Sequence, residues 1–280
     1  MIFPELLAER DAANKVKRKT KILVIIGNPP YNGYAGIAVE EERSLSTAYS
    51  TVKRVPKPQG QGRNDLYVRF FRMAERRIVD GAEGKGIVCF ISNYSWLDGL
   101  SFTGMRERYT EEFDDIYIDS CNGDKYRTGK LTPDGKPDPS VFSTAYNREG
   151  IQVGVAIATL VRRSSHLVGS VHIHFREFWG KDKLVQIGLA CQGTGPAYQT
   201  IAPPVEIGLP FSPASASVTY LSWLKLPELF PESFPGVKTS RDEVLVDIDR
   251  TRLEERIESY FDKSVSHEQM RKIAPPCVPQ

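Results

Sequence analysis

The sequence predicts an α/β fold with a mostly parallel sheet, and three stretches carry that expectation. Ile22 to Gly27 is a short apolar run with β-branched side chains at Ile22, Val24, Ile25 and Ile26, which reads as a strand buried on both faces. Ile87 to Ile91 is a second such run. Between them Leu66, Tyr67, Phe70, Phe71, Ala74 and Ile78 recur at three- and four-residue spacing, with Arg69, Arg72, Glu75, Arg76 and Arg77 in the gaps. That pattern is an amphipathic helix, capped at Asn64 or Asp65 and closed near Gly81. Strand, helix and strand in this order form a βαβ unit, whose strands run parallel through a right-handed connection.

The other elements follow in chain order. Phe3 to Ala13 reads as an amphipathic helix, and Lys15, Lys17, Arg18 and Lys19 form a basic connector. Asn32 to Arg63 has Gly, Ser, Pro and Gln punctuation without sustained periodicity, and a loop of that length is usually functional or disordered. Ser101 to Glu112 reads as a helix, Phe113 to Asp119 as a strand, and Cys121 to Asn147 as a polar excursion that includes the apolar pair Val141 and Phe142. Ile151 to Val161 is an apolar strand that completes the sheet. Val171, Ile173 and Phe175 then alternate with His172 and His174, a half-buried strand whose histidines read as a solvated face rather than a metal site. A short helix over 181–190, Pro-rich segments, the aromatics Tyr220, Trp223, Phe230 and Phe234, a charged helix over 248–261 and a frayed tail from His267 complete the chain. The texture changes after Ser164, which divides the chain into residues 1–165 and 166–280.

The chemistry-bearing stretch is the turn that ends the first strand, Asn28, Pro29, Pro30 and Tyr31. Ligands of open α/β sheets bind outside the carboxyl ends of the strands, which is where this turn falls. Each proline fixes its own φ and restricts the residue before it, so the Asn28 and Pro29 carbonyls have little freedom to lose on binding. The Asn28 side-chain oxygen and the Pro29 carbonyl are two acceptors, and Tyr31 adds an aromatic face. A planar ring with an exocyclic amine has two N–H donors that fit such a pair. Its nitrogen is a poor nucleophile until acceptors draw on those hydrogens and make it more pyramidal. The bland alternative is a rigid Pro-Pro turn with nothing bound.

The run Ile26-Gly27-Asn28-Pro29-Pro30-Tyr31 resembles the catalytic motif of adenine-specific DNA methyltransferases that use S-adenosylmethionine. Asn64 to Phe71, Gly86 to Asn93 and Ser95 to Leu97 look like the helix and strand that follow the motif there. Ile151 to Arg162 and Phe234 to Asp242 look like the large single-chain, type ISP restriction-modification enzymes. The resemblance implies a partial class I, Rossmann-like methyltransferase sheet followed by a smaller mixed region. Residues 1–165 would be the C-terminal part of the catalytic domain, and residues 166–280 a linker and the start of target recognition. It implies Asn28, Pro29, Pro30 and Tyr31 as catalytic residues and Gly27 and Asn28 on the cofactor side. In this family's order the main glycine-rich cofactor turn precedes the motif strand, and no Gly-x-Gly occurs in residues 1–20. The expectation is therefore a downstream part of a catalytic domain that by itself binds S-adenosylmethionine weakly or not at all.

The partner implied is double-stranded DNA with a flipped adenine, with Ser95 to Leu97 walling the base pocket and Phe142 or Tyr126 packing against the base. An upstream cofactor-binding half and a helicase-nuclease part would be further partners. Lys53, Arg54, Lys57 and Arg63 occur without an intervening acid, and Lys125, Arg127 and Lys130 lie in the polar excursion. Both groups are expected to contact phosphates, and so are Lys238, Thr239, Ser240 and Arg241. Two rival readings stand beside this one. Release-factor glutamine methyltransferases carry a similar turn, which would make the target a protein glutamine amide, although the long basic insert and the matches beyond residue 165 count against it. The other rival is a DNA-binding or target-recognition piece that is catalytically incomplete.

Composition sets the outer limits. With 280 residues, 40% hydrophobic and 26% charged, the chain is ordinary globular material. A net charge of +2 excludes neither DNA nor a small molecule, because local clusters of Lys and Arg decide DNA binding. Cys89, Cys121, Cys191 and Cys277 have no Cys-x-x-Cys spacing, which argues against a zinc site and a disulfide framework. With no signal-peptide pattern and no apolar run near the roughly 20 residues of a membrane span, the expected location is cytoplasmic.

Overall fold

Alternate side chains of three apolar runs point to one side and are buried there: Val88 and Phe90, Ile116 and Ile118, and Ala156, Ala158 and Leu160. Burial of that shared face draws the strands into one sheet. The computed structural model describes residues 3–31, 40–81, 83–232 and 242–274. Its strands are β1 (Val24–Gly27), β2 (Gly86–Asn93), β3 (Asp115–Ser120), β4 (Val155–Arg162), β5 (His172–Glu177) and β6 (Gln199–Ile201), in the order β1-β2-β4-β3-β5-β6. The helices up to Leu221 are α1 (Pro4–Lys19), α2 (Glu40–Thr47), α3 (Leu66–Val79), α4 (Thr103–Glu112), α5 (Lys183–Cys191) and α6 (Val218–Leu221). From α3 come Tyr67, Phe71 and Ile78, and from α4 Met105 and Tyr109, all packed in the cluster that covers the buried face. The Phe71 ring lies 5.0 Å from Phe90 and 5.3 Å from Trp96.

The fold is α/β with a mixed sheet, and several expectations change in detail. The pairs β1 with β2 and β3 with β5 are parallel, whereas β4 runs antiparallel to both β2 and β3. The cause is the connection: the chain leaves β3 and re-enters β4 at the same rim without a crossover helix, so the strand must return antiparallel. β1 pairs only with β2 among the described residues and is not buried on both faces, since Val24 is 53% and Ile26 78% exposed. Only Ile25 packs on the core.

The stretch expected as a plain loop over 32–63 contains α2 and 3-10 turns at Ala48–Ser50 and Gly62–Asn64. Its apolar signal is too sparse for periodicity, being mainly Leu45 and Tyr49, yet both are buried. The Tyr49 hydroxyl donates to Glu75 at 2.6 Å and lies 3.3 Å from the Tyr109 hydroxyl. Arg72 and Arg108 close on the same carboxylate. α1 runs on through the basic connector to Lys19, where the Arg77 guanidinium holds the Val16 and Thr20 carbonyls at 2.9 and 3.3 Å.

The expected boundary at 165 falls inside the sheet. β5 is in register with all six residues of β3, and the compact unit runs through Leu221. What changes at 165 is the sheet's exposure: Ile173 and Phe175 are buried, while His172 is exposed and His174 half-buried. The histidines do have an acidic neighbour, because register brings the Asp115 carboxylate to 3.8 Å from His172 and 3.9 Å from His174. No group of His, Cys, Asp and Glu among the described residues can hold a metal.

A second unit begins at Ser222. It contains α7 (Leu226–Leu229), α8 (Asp242–Leu245), α9 (Arg250–Phe261) and α10 (His267–Ile273). Asp249 caps α9 by accepting from Thr251 N at 2.9 Å. The tail expected to fray from His267 is helical, because Ser266 and Gln269 form a capping box and Met270 and Ala274 pack with Val244. No helix among the described residues is long and apolar enough to cross a membrane.

Arg106, fully buried in α4, ties the cover of the sheet together. Its Nε and Nη2 donate to the Gly208 carbonyl at 3.0 and 2.8 Å, and its Nη1 donates to Trp96 and Gly99 carbonyls at 2.8 and 2.9 Å. Burial lowers its pKa to about 10, which leaves it charged at neutral pH. Arg106→Met keeps the volume and strands three carbonyls, so unfolding free energy should fall by about 3–5 kcal/mol. Urea denaturation checks this, and an unchanged midpoint would mean that water replaces the guanidinium.

Candidate active site

The turn after β1 is set in place by Gly27. In the parallel register Gly27 lies opposite Phe90, and a Cβ at position 27 would come within 2.9 Å of the Phe90 ring. Phe90 belongs to the aromatic core, so the glycine is needed for the strand to lie against it. Pro29 is then buried, while Asn28 and Pro30 face outward and Tyr31 is half-buried. The Asn28 acceptor is thus presented at the carboxyl rim on a turn with a buried anchor.

Tyr31 packs edge-on against Phe142, with centroids 6.2 Å apart and planes at 63°. Of the two aromatics expected beside the site, the structure brings Phe142 to Tyr31. Tyr126 is 73% exposed and its hydroxyl donates to Gln152 at 2.9 Å. The Tyr31 hydroxyl is buried without a hydrogen-bond partner among the described residues. Burial, and next the neighbouring Cys121, push this phenol well above its ordinary pKa. Burial and then Asp119 push the Cys121 thiol up to about 12. Both groups are therefore neutral at neutral pH, and neither is a nucleophile. The turn offers acceptors and aromatic surface.

The adjoining rim is polar and fixed. Asn93 ends β2 and its Oδ1 accepts from Ser95 N at 2.8 Å, opening a 3-10 turn over Tyr94–Leu97. Trp96 and Leu97 are core residues, so of the expected pocket wall only Ser95 is partly exposed. The excursion from Cys121 to Gly154 is organised by two carboxylates. Asp124 accepts from the backbone N–H groups of Tyr126 and Arg127, each at 2.7 Å, and of Gly154 at 2.8 Å. Asp138 accepts from Gly123 N and Gly180 N at 2.7 Å and from the buried Lys183 ammonium at 2.7 Å.

The expected phosphate contacts divide. Lys53 pairs with Glu111 at 3.0 Å and Arg54 with Glu107 at 3.5 Å. The Glu107 carboxylate also accepts the backbone N–H groups of Lys53 and Arg54, at 2.8 and 2.7 Å. α4 leads from the carboxyl rim to the opposite rim; Glu107 lies at its middle and Glu111 near its end, and Arg54 also donates to Thr110 at 3.2 Å, so Lys53 and Arg54 are held along the helix away from the Asn28 turn where they were expected. Hydrogen bonds from Thr103 to the Pro56 carbonyl and from Gln59 N to the Leu100 carbonyl bring Lys57 and Arg63 back toward the near end. Arg127 is held by a bidentate pair to Asp98, both contacts 2.7 Å, and lies 4.9 Å from the Tyr94 ring centre. Lys130 bonds to the Glu149 carbonyl. Lys238, Thr239, Ser240 and Arg241 lie outside the described residues. The roles of Asp98, Asp138 and Lys183, and the hold of Asp124 on Gly154, were not legible, because those partners are distant in sequence. The turn residues Asn122, Gly123 and Asp124 were the one local sign.

Comparison with known proteins bears on this geometry. Residues 4–124 match the Eco57I restriction-modification methylase family. The match contains β1, the Asn28 turn, α3, β2, α4 and β3, so the methyltransferase part of the resemblance holds. Among solved structures the chain is similar to the ATP-dependent type ISP restriction-modification enzyme LlaBIII bound to DNA, with 25% identity and TM-score 0.63 over 92% of this chain and 17% of that one. It is similar to DrdV in a DNA complex, with 25% identity and TM-score 0.56 over 74% of this chain and 20% of that one. A nuclease-deletion mutant of the type ISP enzyme LlaGI with a DNA substrate mimic shares the fold at 23% identity and TM-score 0.54, over 72% of this chain and 19% of that one. The chain thus spans a fifth or less of the length of each. No curated protein matches the sequence.

Two measurements test the site as built. Tyr31→Phe removes a buried hydroxyl that has no partner among the described residues, so stability should hold or rise by up to about 1 kcal/mol, read by urea denaturation. A clear loss would reveal an interaction of that hydroxyl. For Asp124, burial favours the neutral acid, but the N–H donors of Gly154, Arg127 and Tyr126 outweigh it and hold the carboxyl below its usual value. Its folded pKa is depressed, so its contribution is present above the unfolded aspartate value near 3.8 and is lost as pH falls through the folded value. Amide exchange at Tyr126 and Gly154 should speed by about tenfold to a hundredfold at neutral pH in Asp124→Ala, for a loss of ~1–3 kcal/mol. Unaltered exchange would mean that the loop is held elsewhere.

Proposed function

We propose that this chain forms the target-amine side of an adenine-specific DNA methyltransferase of a restriction-modification system, which transfers a methyl group from S-adenosylmethionine to adenine N6. The observation that carries it is the outward Asn28 on a turn anchored by Pro29 and Gly27, with the Tyr31 and Phe142 rings alongside. The match to the restriction-modification methylase family supports the reaction class. LlaBIII and DrdV, both in complex with DNA, support the choice of substrate.

Asn28 Oδ1 and the Pro29 carbonyl accept the two N–H bonds of the exocyclic amine and draw its lone pair out of the ring. The base must leave the duplex to reach them, which costs a few kcal/mol of unstacking. Stacking on Tyr31 offsets about 1–3 kcal/mol of that cost. Phe142 steadies the Tyr31 ring. The sulfonium donor supplies the methyl group. The described residues do not form its cradle: β1 ends in Pro-Pro, β2 in Asn93-Tyr94, and the open space at Gly27 is taken by Phe90. No part of the donor's binding is therefore assigned beyond the rim position of Gly27 and Asn28.

Asn28→Ala, measured in a preparation active on duplex DNA, should lower turnover by at least about a hundredfold and leave DNA affinity little changed, as expected for loss of one preorganised polar contact. Tyr31→Ala should weaken the fluorescence change of 2-aminopurine at the target base, while Tyr31→Phe retains most activity. Methylation near the wild-type rate in Asn28→Ala would reduce the turn to scaffold.

A further inference from the structure

The basic side chains of the rim are not equivalent, and the difference marks a site. Arg127 is neutralised by a carboxylate, and Lys53 and Arg54 are paired with Glu111 and Glu107 of α4. Lys125, Arg148 and Lys181 make no ion pair among the described residues, and with Lys130 they line one cavity of about 360 Å³ between the excursion that joins β3 to β4 and the start of the segment after β5. The other charged lining groups are Asp138 and Glu149. Asp138 is fully buried and spent on Lys183 at 2.7 Å, so four cations face one exposed carboxylate.

The backbone holds this arrangement at a cost. Lys130 has φ +58°, directly after Gly129 at +64°, a conformation that disfavours a lysine. It is kept there by hydrogen bonds from its own N–H to the Asp124 carbonyl at 2.8 Å and from Asp138 N to its carbonyl at 2.7 Å. Its ammonium is thereby turned onto the Glu149 carbonyl at the cavity wall. Like charges gathered this closely repel one another unless an anion lies between them.

We propose that this cavity is a phosphodiester site, in which Lys125, Lys130, Arg148 and Lys181 hold one or two backbone phosphates of the DNA whose base enters at Asn28. The inference rests on the DNA reading above and deepens it: Arg148 and Lys181 join the contacts expected from sequence, and Lys53, Arg54 and Arg127 leave them. The cavity lies on the rim that carries the Asn28 turn, because its loop leaves β3 at Cys121 and Phe142 of that loop packs on Tyr31. Contacts of this kind fix register on the duplex without reading sequence.

The test is equilibrium binding of two duplexes of different sequence across a salt series, by fluorescence anisotropy. The triple variant Lys125→Ala, Arg148→Ala and Lys181→Ala removes only exposed side chains, and circular dichroism confirms its fold. The slope of log affinity against log salt should become shallower by about one to two, at ~0.9 per phosphate, equally for both duplexes. Lys53→Ala with Arg54→Ala should leave the slope as in the wild type. An unchanged slope in the triple variant overturns the site while the DNA reading stands. A change confined to one duplex means base contacts and also overturns it. Inorganic phosphate separates the remaining source: if the wild-type chain binds phosphate through these residues but shows no salt-dependent duplex binding, the cavity serves free phosphate and the phosphodiester assignment falls. The reaction itself is judged separately, by methyl transfer in Asn28→Ala.

Discussion

The close approach of β1 to the Phe90 ring is the constraint from which the candidate site follows. Position 27 admits no side chain, because a Cβ there would lie 2.9 Å from that ring. Phe90 in turn is fixed by Phe71 of α3, 5.0 Å away, and Phe71 packs on Trp96 and Tyr109. Any displacement of this cluster would move the strand end that carries Asn28. Preorganisation of the acceptors thus comes from two sources: proline stiffness within the turn and aromatic packing beneath it.

The facing wall of the site is built on different physics. The excursion from Cys121 to Gly154 buries few apolar groups; Asp124 and Asp138 hold it by collecting backbone N–H donors from both ends of the segment and from Gly180. Buried carboxylates require such complete partnering, since an unpaired one is costly. The same economy of partners sorts the basic residues. Cations near a carboxylate serve the fold, as Arg127 does with Asp98 and Lys183 with Asp138, whereas Lys125, Arg148 and Lys181 line one cavity with Lys130.

Much of this was legible in the residues. The α3 stripe, the β2 and β4 runs and the alternation of β5 appear where their periodicity places them, and the Asn28 turn lies at the end of its strand. Other features depend on partners that no local pattern reveals. The polarity of β4 follows from a loop that returns to the same rim. The exposure of β1 follows from what covers the sheet, since an apolar run reads alike whether one face or two are covered. α2 and the 3-10 turn after it leave little mark in the sequence, because Leu45 and Tyr49 are their main apolar signal and Tyr49 owes its place to a hydrogen bond with Glu75 of α3. Opposite charges far apart in sequence, such as Lys53 with Glu111, made a paired loop look like a free basic one.

The connection between β3 and β4 has an evolutionary consequence. Both strands are fixed by the sheet, with paired registers running from Ser120 opposite Ala156 to Asp115 opposite Val161. The segment between them leaves and returns at neighbouring points, so its ends are already in place whatever its length or content. A lineage can therefore lengthen or replace the stretches between Asp124, Asp138 and Phe142, retaining those three to clasp the Gly154 end, the Gly180 side and the Tyr31 ring, while the hydrophobic layer under α3 and α4 stays as it is. Change in this segment and constancy of the Asn28 turn can then proceed on separate schedules within one sheet.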